Sequence, residues 1–582
     1  MRLVKRKGEV FFPYAARPEQ QDLIDFVSSH VGKPLCINAT TGFGKTTCIL
    51  AALLPSHKRI IWAVRTGNES DRPVEELKVV DERFSRHLFG LSYRGKRDMC
   101  LLKEGLDYDA ASYLCKKKMK ECAYYKNLAD FSYSPEGPLL YSELLRMARK
   151  EKICPYYLQR RLLPYASVIG MSYNYVLSDA GYSLRSTIPF HDSFLVVDEA
   201  HNLEQAATNI NSIALKKVGV ERALEEMAGI DDEACGSALK ALLEVIERVE
   251  GESRVDMDGF LDTLEMRGLA PKFIEYGEQI RADRLEHGLV PRSSLYHLGS
   301  FLRAVEEKSS SEGVVMIADD GGFEVYDMRV RGMLSELWGQ FLGCVFCSGT
   351  LEPIDGFANT IGLADYEGKS FYMPFRDENV RSYVITGIST EGETLSRAMA
   401  DRYVRSISWF LRQGRKSAVF CASYRIMGDL LKAGLEADFV ERQSMGGAEA
   451  KNMLESFRDA EEGCLLASAQ GRFAEGIDLP QALDSVFIAG IPFERATLKT
   501  TLYIRYYMSL YGAQRGRYYA YMVPAIRRVS QAMGRALRGL EDRALIVCGD
   551  ERYTKPEIFR LLPRYFQTSA KTIRYPPDAE SS

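Results

Sequence analysis

Asn38-Ala39-Thr40-Thr41-Gly42-Phe43-Gly44-Lys45-Thr46-Thr47 opens on the last residue of a short apolar run, Leu35–Asn38, and leads into a stretch of helical character. Gly42 and Gly44 let the backbone curl so that successive N–H groups face one point, and a helix N-terminus behind them adds partial positive charge. Such a loop cradles phosphates. Lys45 would neutralise the β- and γ-phosphates and Thr46 would ligate Mg²⁺, with Thr41, Gly42, Gly44 and Thr47 completing an ATP site. The stretch departs from the phosphate-loop pattern once, where Ala39 stands in place of the first glycine.

Further continuous apolar runs lie around this loop. Leu35–Asn38, Arg59–Val64, Phe194–Val197 and Cys344–Cys347 form one set; Ser417–Cys421, Cys464–Ala467, Val486–Ala489 and Ala544–Cys548 form another. Runs this unbroken suit parallel strands buried on both faces and alternating with helices, so the fold class is α/β with two parallel-sheet lobes. The first lobe is interrupted twice. Residues 85–165 are rich in cysteine and lysine, and residues 207–335 are mainly helical in pattern, with acidic spots at Glu225, Glu226, Asp231, Asp232 and Glu233. Leu239, Leu242, Leu243 and Ile246 share one helical face there, as packing. Ser309–Gly313 and Asp319–Gly322 have the composition of surface turns.

The bulk properties are those of an ordinary globular chain: 582 residues, 46% hydrophobic, 27% charged, net charge −3. Any nucleic-acid surface must therefore be a local basic patch. No apolar stretch is long enough to span a bilayer, so no membrane association is expected, and the N-terminus lacks the apolar core of a signal peptide. Twelve cysteines are too few for a disulfide scaffold. Cys36, Cys344, Cys347, Cys421, Cys464 and Cys548 sit in the apolar runs and read as reduced, buried thiols, which places the chain in the cytoplasm.

Two further stretches carry chemistry. Phe194-Leu195-Val196-Val197-Asp198-Glu199-Ala200-His201 is a strand ending in two carboxylates, a DEAH box. Asp198 would hold the Mg²⁺ shell and Glu199 would polarise the attacking water as general base. Near the other end, Gln531, Arg535 and Arg538 in Val529-Ser530-Gln531-Ala532-Met533-Gly534-Arg535-Ala536-Leu537-Arg538 are spaced four and three apart, on one helical face. Guanidiniums there could reach from one lobe to the γ-phosphate held by the other.

With these residues, the chain resembles the superfamily 2 DNA helicases, specifically the XPD-type iron–sulfur group, and in compactness its archaeal members. Tyr14-Ala15-Ala16-Arg17-Pro18-Glu19-Gln20 is similar to the group's adenine-side motif, through Tyr14, Arg17 and Gln20. Arg65-Thr66 is similar to the first strand-contact motif, and Ser348-Gly349-Thr350-Leu351 to the motif coupling ATP to DNA. Phe420-Cys421-Ala422-Ser423-Tyr424 and Gly471-Arg472-Phe473-Ala474-Glu475-Gly476-Ile477-Asp478 match the second lobe's motifs, which carries Tyr424 and Arg472 over as DNA contacts and Gly476 and Asp478 as nucleotide contacts. The resemblance implies RecA-like motor lobes: lobe 1 in three parts, 1–84, 166–206 and 336–365; an iron–sulfur cluster domain at 85–165; an arch domain at 207–335; and lobe 2 at 366–582. It implies a monomer that travels 5′-to-3′ on single-stranded DNA and opens duplex and forked DNA in DNA repair, with repair proteins as partners. An RNA-dependent helicase, or an ATP-gated DNA-binding scaffold of a repair or transcription complex, are the other readings. One departure concerns the residue after Arg65-Thr66: the family commonly has histidine, and this chain has Gly67.

Cys100, Cys115, Cys122 and Cys154 are spaced C-x14-C-x6-C-x31-C. Spacing alone leaves zinc, an iron–sulfur cluster and four independent thiols open, because the paired knuckles of structural zinc are missing. The middle pair also lies farther apart than the family's usual spacing. The lead-in Arg94-Gly95-Lys96-Arg97-Asp98-Met99-Cys100 and the ending Cys154-Pro155-Tyr156 resemble the XPD-type domain and so imply a 4Fe–4S cluster. Between Tyr93 and Arg161 lysine and arginine exceed the acidic residues by six, with Tyr124, Tyr125, Tyr156 and Tyr157 interleaved. Cations and stacking faces suit single-stranded DNA, and the resemblance places Lys96 near both cluster and DNA.

Overall fold

The structure is a computed structural model that describes residues 11–178, 182–374, 379–392, 394–474, 483–537 and 539–577. Among the described residues eighteen strands occur in three sheets. In chain order they are β1 (Leu35–Ala39), β2 (Arg59–Val64), β3 (Gly90–Ser92), β4 (Val168–Ser172), β5 (Ser193–Asp198), β6 (Ile213–Lys216), β7 (Ser253–Val255), β8 (Val314–Asp319), β9 (Gly322–Asp327), β10 (Gly343–Ser348) and β11 (Glu367–Phe371). There follow β12 (Val380–Thr386), β13 (Lys416–Cys421), β14 (Phe439–Val440), β15 (Gly463–Ser468), β16 (Ser485–Ala489), β17 (Ala544–Gly549) and β18 (Ala570–Arg574).

The first sheet has the order β11-β1-β10-β5-β2-β4-β3, and the second β14-β15-β13-β16-β17-β12-β18. Every pair in both is parallel. All eight apolar runs noted in the sequence are strands here, and helices cover both faces, as uninterrupted apolar strands require. In the first lobe Cys36, Ile61 and Leu195 point into one core, while Ile37, Trp62 and Val196 point into the other. In the second, Phe420 and Ile546 pack on one side and Val419 and Val547 on the other. The six strand cysteines are buried free thiols.

Strand pairing shifts the divisions expected from composition. β3 falls within 85–165, yet it pairs with β4 and completes the first sheet. β11 lies past residue 365, yet it pairs with β1, so the first lobe runs on through Phe371. Helix Val330–Trp338 begins within 207–335 but buries Val330, Leu334 and Leu337 in the first lobe's core. The second interruption is not purely helical. Beside helices such as Glu233–Glu247, which buries Leu239, Leu242 and Ile246, it holds the antiparallel sheet β6-β9-β8-β7. The Asp319–Gly322 turn closes the β8–β9 hairpin, Asp319 Oδ1 accepting from Gly321 N at 2.8 Å.

The two interruptions touch each other, and the second also packs on the second lobe. Arg281, on helix Ala270–Glu286 of the second, ion-pairs with Asp109 of the first at 3.0 Å and lies over the Tyr113 ring. The outer face of β8 and β9, with Val315, Ile317 and Tyr326, packs on Leu498, Leu502 and Tyr503 of the second lobe. Among the described residues no helix is long and apolar enough to cross a membrane.

Candidate functional site

The motifs expected to carry catalysis gather at the carboxyl ends of the central strands, where loops of a parallel sheet meet at its switch point. The phosphate loop leaves β1 and turns through Gly42 (φ 77°) and Gly44 (φ 88°), backbone that side chains seldom adopt, before helix Lys45–Leu53 begins. Ala39 is not among the residues in that left-handed region, and its methyl is buried in the core. The missing first glycine therefore costs this loop nothing. Arg17 Nη2 and Gln20 Nε2 both donate to Phe43 O, at 2.9 and 2.8 Å, so the adenine-side motif is fastened to the middle of the phosphate loop.

Tyr14 and Thr47 meet at a residue that the sequence reading did not single out. Both hydroxyls donate to Glu76 Oε2, at 3.1 and 2.9 Å. Glu76 is buried and paired with Arg72 at 2.9 Å, so Thr47 anchors the loop's helix to helix Arg72–Phe84. Thr46 is half-buried on the first turn of the same helix.

Lys45 Nζ donates to Ala39 O at 3.2 Å and lies 3.9 Å from Glu199 Oε1. At the end of β5, Asp198 accepts from Glu199 N at 3.0 Å and from Trp62 Nε1 at 3.4 Å. Glu199 holds φ 47°, a strained value for a side-chain-bearing residue, and Tyr173 OH fixes this corner by donating to the carbonyls of Asp198 and Glu199. The two acids titrate apart. Burial, then the Glu199 charge, pushes Asp198 up. Burial also works to raise Glu199, but Lys45, His201 and the Ser348 hydroxyl outweigh it and hold Glu199 below the ordinary carboxylate range. Glu199 is thus ionised, the form that can take a proton from water.

From Glu199 a hydrogen-bonded path crosses to the other lobe. Ser348 Oγ donates to Glu199 Oε2 at 3.0 Å, and His201 Nδ1 lies 2.7 Å from Ser348 Oγ. Gln531 Nε2 then lies 2.6 Å from His201 Nε2. With Gln531 as donor, the chemistry fixes the ring: Nε2 accepts and Nδ1–H donates to Ser348. Gln531 is on helix Val523–Met533, whose end comes close to the phosphate loop: a Cβ built on Gly534 would stand 3.5 Å from Thr41 Oγ1. Arg527, one turn before Gln531, donates to Leu351 O at 3.3 Å. Of the expected pair of arginines, Arg535 donates from Nε and Nη2 to Ala474 O, at 3.2 and 2.9 Å, within the second lobe. Arg538, Gly476 and Asp478 lie outside the described residues.

The expected strand contacts sit on the same edge. Arg65 and Thr66 follow β2 and are exposed, and Glu69 accepts from Thr66 N at 3.2 Å. In the second lobe Tyr424 follows β13 and the exposed Arg472 follows β15. Glu441, which sequence reading did not single out, brings these two together. It is buried and accepts from Ser468 N and Arg472 N, both at 2.9 Å. Burial and the bond to Glu441 push the Tyr424 phenol up to about 12.

Cys100, Cys115, Cys122 and Cys154 line one cavity, together with Lys96, Tyr124 and Tyr156. Lys96 Nζ lies 5.3 Å from the Tyr156 ring centroid. Among the described residues no three histidine, cysteine, aspartate or glutamate side chains lie close enough to hold a single metal ion.

Comparison with known proteins gives two family matches: the model described as DEAD_2 over residues 62–220 and the Helicase C-terminal domain over 408–569. The ATP-dependent DNA helicase XPD of Sulfolobus acidocaldarius is 24% identical over 533 residues, covering 89% of this chain and 92% of the relative. The general transcription and DNA repair factor IIH helicase subunit XPD/RAD3 of Saccharomyces cerevisiae is 22% identical over 686 residues, covering 94% of this chain and 87% of the relative. A solved XPD helicase structure, 21% identical, matches 96% of this chain and 100% of its own with a TM-score of 0.73. That likeness is one of fold, and it makes the two parallel-sheet lobes RecA-like.

Proposed function

Because the chain belongs to the XPD-type helicases of superfamily 2 and is an ATP-hydrolysing helicase of that group, we propose that it moves 5′-to-3′ along single-stranded DNA and separates duplex and forked DNA in DNA repair. The observation that carries this reading is the path Gln531–His201–Ser348–Glu199, which joins one lobe to the general base of the other. Thr41, Gly42, Gly44 and Lys45 hold the triphosphate, Thr46 and Asp198 the Mg²⁺, and Glu199 takes a proton from the attacking water. Closure of the second lobe sets Gln531 on His201 and brings Arg535 toward the γ-phosphate. Because Arg65 and Thr66 grip the strand from one lobe and Tyr424 and Arg472 from the other, each closing and reopening shortens and lengthens the grip along the strand.

The four cysteines that line one cavity supply the all-thiol donor set that a 4Fe–4S cluster takes, and the family resemblance favours that cluster over a zinc ion. When bound, the cluster would cross-link the insert through Cys100, Cys115, Cys122 and Cys154.

The deciding experiment measures ATP hydrolysis and strand separation by the purified chain on substrates with 5′ or 3′ single-stranded tails. Unwinding from the 5′ tail alone is expected. ATP-gated binding without strand separation would establish a scaffold instead, and stronger stimulation by RNA of the same sequence would establish an RNA-dependent enzyme. A brown protein with broad visible absorbance is expected; a colourless one with a stoichiometric zinc would overturn the cluster.

A further inference from the structure

We propose that Arg94 is a positioning residue through which the cysteine insert holds the strand-contact loop, a role that rests on the helicase reading above. Arg94 follows β3 and is 6% exposed, an unusual place for a guanidinium. Gln159 clamps its backbone from both sides, its Oε1 accepting from Arg94 N at 3.1 Å and its Nε2 donating to Arg94 O at 2.6 Å. Gln159 is fully buried on helix Pro155–Leu162, which starts at the residue after Cys154. The backbone of Arg94 is thereby fixed to the helix that leads out of the cysteine cavity.

The side chain points the other way, at the loop after β2. Nη1 donates to Asn68 Oδ1 at 3.3 Å, and Nη2 lies 3.6 Å from Asp71 Oδ2. Those residues fall within the short helix Gly67–Asp71 that follows Arg65 and Thr66. The Tyr141 ring, also from the insert, lies 4.6 Å from the guanidinium carbon, and Tyr141 N donates to Asp71 Oδ1 at 3.0 Å. Arg94 Nε is buried with no partner among the described residues. A buried cation left partly unpaired is a poor way to gain stability, since an apolar side chain of equal volume would do as well or better. Its geometry instead serves registration of the loop.

Gly67 completes the device. A Cβ on residue 67 would stand 2.5 Å from Arg94 Nη1. With no side chain at residue 67, the space beside it stays clear for the insert's arginine. Residue 67 and Arg94 are therefore a matched pair.

The test is a double-mutant cycle on the holoprotein, reading ATP hydrolysis against the concentration of an oligo-dT strand. Arg94→Ala should raise the half-saturating DNA concentration on the order of tenfold, the scale of one charged hydrogen-bond set. Turnover at saturating DNA should stay within about twofold. Gly67→Ala, which adds one methyl and removes no charge, should produce the same shift by displacing the guanidinium. In the Arg94→Ala background Gly67→Ala should have no further effect, because its clash is gone. Arg94→Lys, which keeps the charge but not the two-pronged reach, should fall between. A harmless Gly67→Ala, or additive losses in the double variant, would overturn the proposal. So would an Arg94→Ala chain that loses hydrolysis equally with and without DNA, as misfolding alone would cause. An unmodified chain indifferent to DNA would sink the helicase reading itself, an outcome distinct from any of these.

Discussion

Gln531→Ala removes a side chain that joins the second lobe to the DEAH histidine, and its effect can be worked from the bonds it breaks. The 2.6 Å contact to His201 Nε2 is one neutral hydrogen bond in a partly buried cleft, worth about 1 kcal/mol net. His201 then loses the partner that keeps its Nδ1–H aimed at Ser348, and Ser348 in turn orients Glu199. Misdirecting a charged acceptor raises the cost toward about 3 kcal/mol. The hydrolysis rate at saturating ATP and DNA should therefore fall by about tenfold to a hundredfold. The KM for ATP should change less than about twofold, because Lys45, Arg17 and Gln20 are untouched. Thermal stability should barely move: Gln531 Oε1 is buried without a partner among the described residues, and its removal relieves a penalty that offsets the lost bond. Ser348→Ala cuts the same path one link further on. In steady-state kinetics the double variant should be scarcely slower than the worse single one. Additive losses, or a raised KM with the rate intact, would refute the relay.

Gln20→Ala removes one of two donors on Phe43 O and should weaken ATP binding by about fivefold to tenfold in a nucleotide titration, with Arg17 retaining the loop. Glu441→Gln puts an amide where a buried carboxylate takes two backbone N–H bonds, so the second lobe should lose about 2 kcal/mol in chemical denaturation and its response to DNA should weaken. Cys154→Ser should abolish the visible absorbance of the holoprotein while ATP binding persists, measured by absorbance and by nucleotide titration. Burial works to raise Asp327, but Arg329 and Lys308 hold it below its ordinary value, at 2.8 and 3.0 Å. Its folded value being depressed, the stability it confers is present at neutral pH and disappears as pH falls from about 4 through that lower value. Asp327→Asn should flatten that acid limb in unfolding curves taken across pH.

What the sequence disclosed and what it hid follow from how far apart the partners lie. Strands buried on both faces announce themselves as apolar runs, so β1, β2, β5 and β10 of the first lobe and β13, β15, β16 and β17 of the second were legible. β11, Glu-Gly-Lys-Ser-Phe, was not: it is an edge strand with two exposed residues, and an edge open to solvent tolerates polar side chains. β3 is three residues long, too short for any periodicity to show. The phosphate loop and the DEAH box were legible because each packs its chemistry into one turn of chain. Glu441, Gln159 and Glu76 were not, because what each does is set by a partner elsewhere: Arg472 lies 31 residues from Glu441, Arg94 lies 65 from Gln159, and Tyr14 lies 62 from Glu76.

Positions where a local motif breaks its own pattern divide into two kinds, and the backbone tells them apart. Ala39 replaces a glycine at a residue outside the left-handed region, so the motif loses nothing and no compensating contact is needed. Gly67 stands next to an expected strand contact, and the space its missing side chain leaves holds a guanidinium delivered from an insert by a buried glutamine. The second kind couples two parts of the chain that the first leaves independent. A departure of that kind therefore marks where the insert's folding and the motor's grip are one equilibrium: whatever loosens the helix after Cys154 must also loosen Gln159, and with it Arg94 and the loop that Arg94 holds.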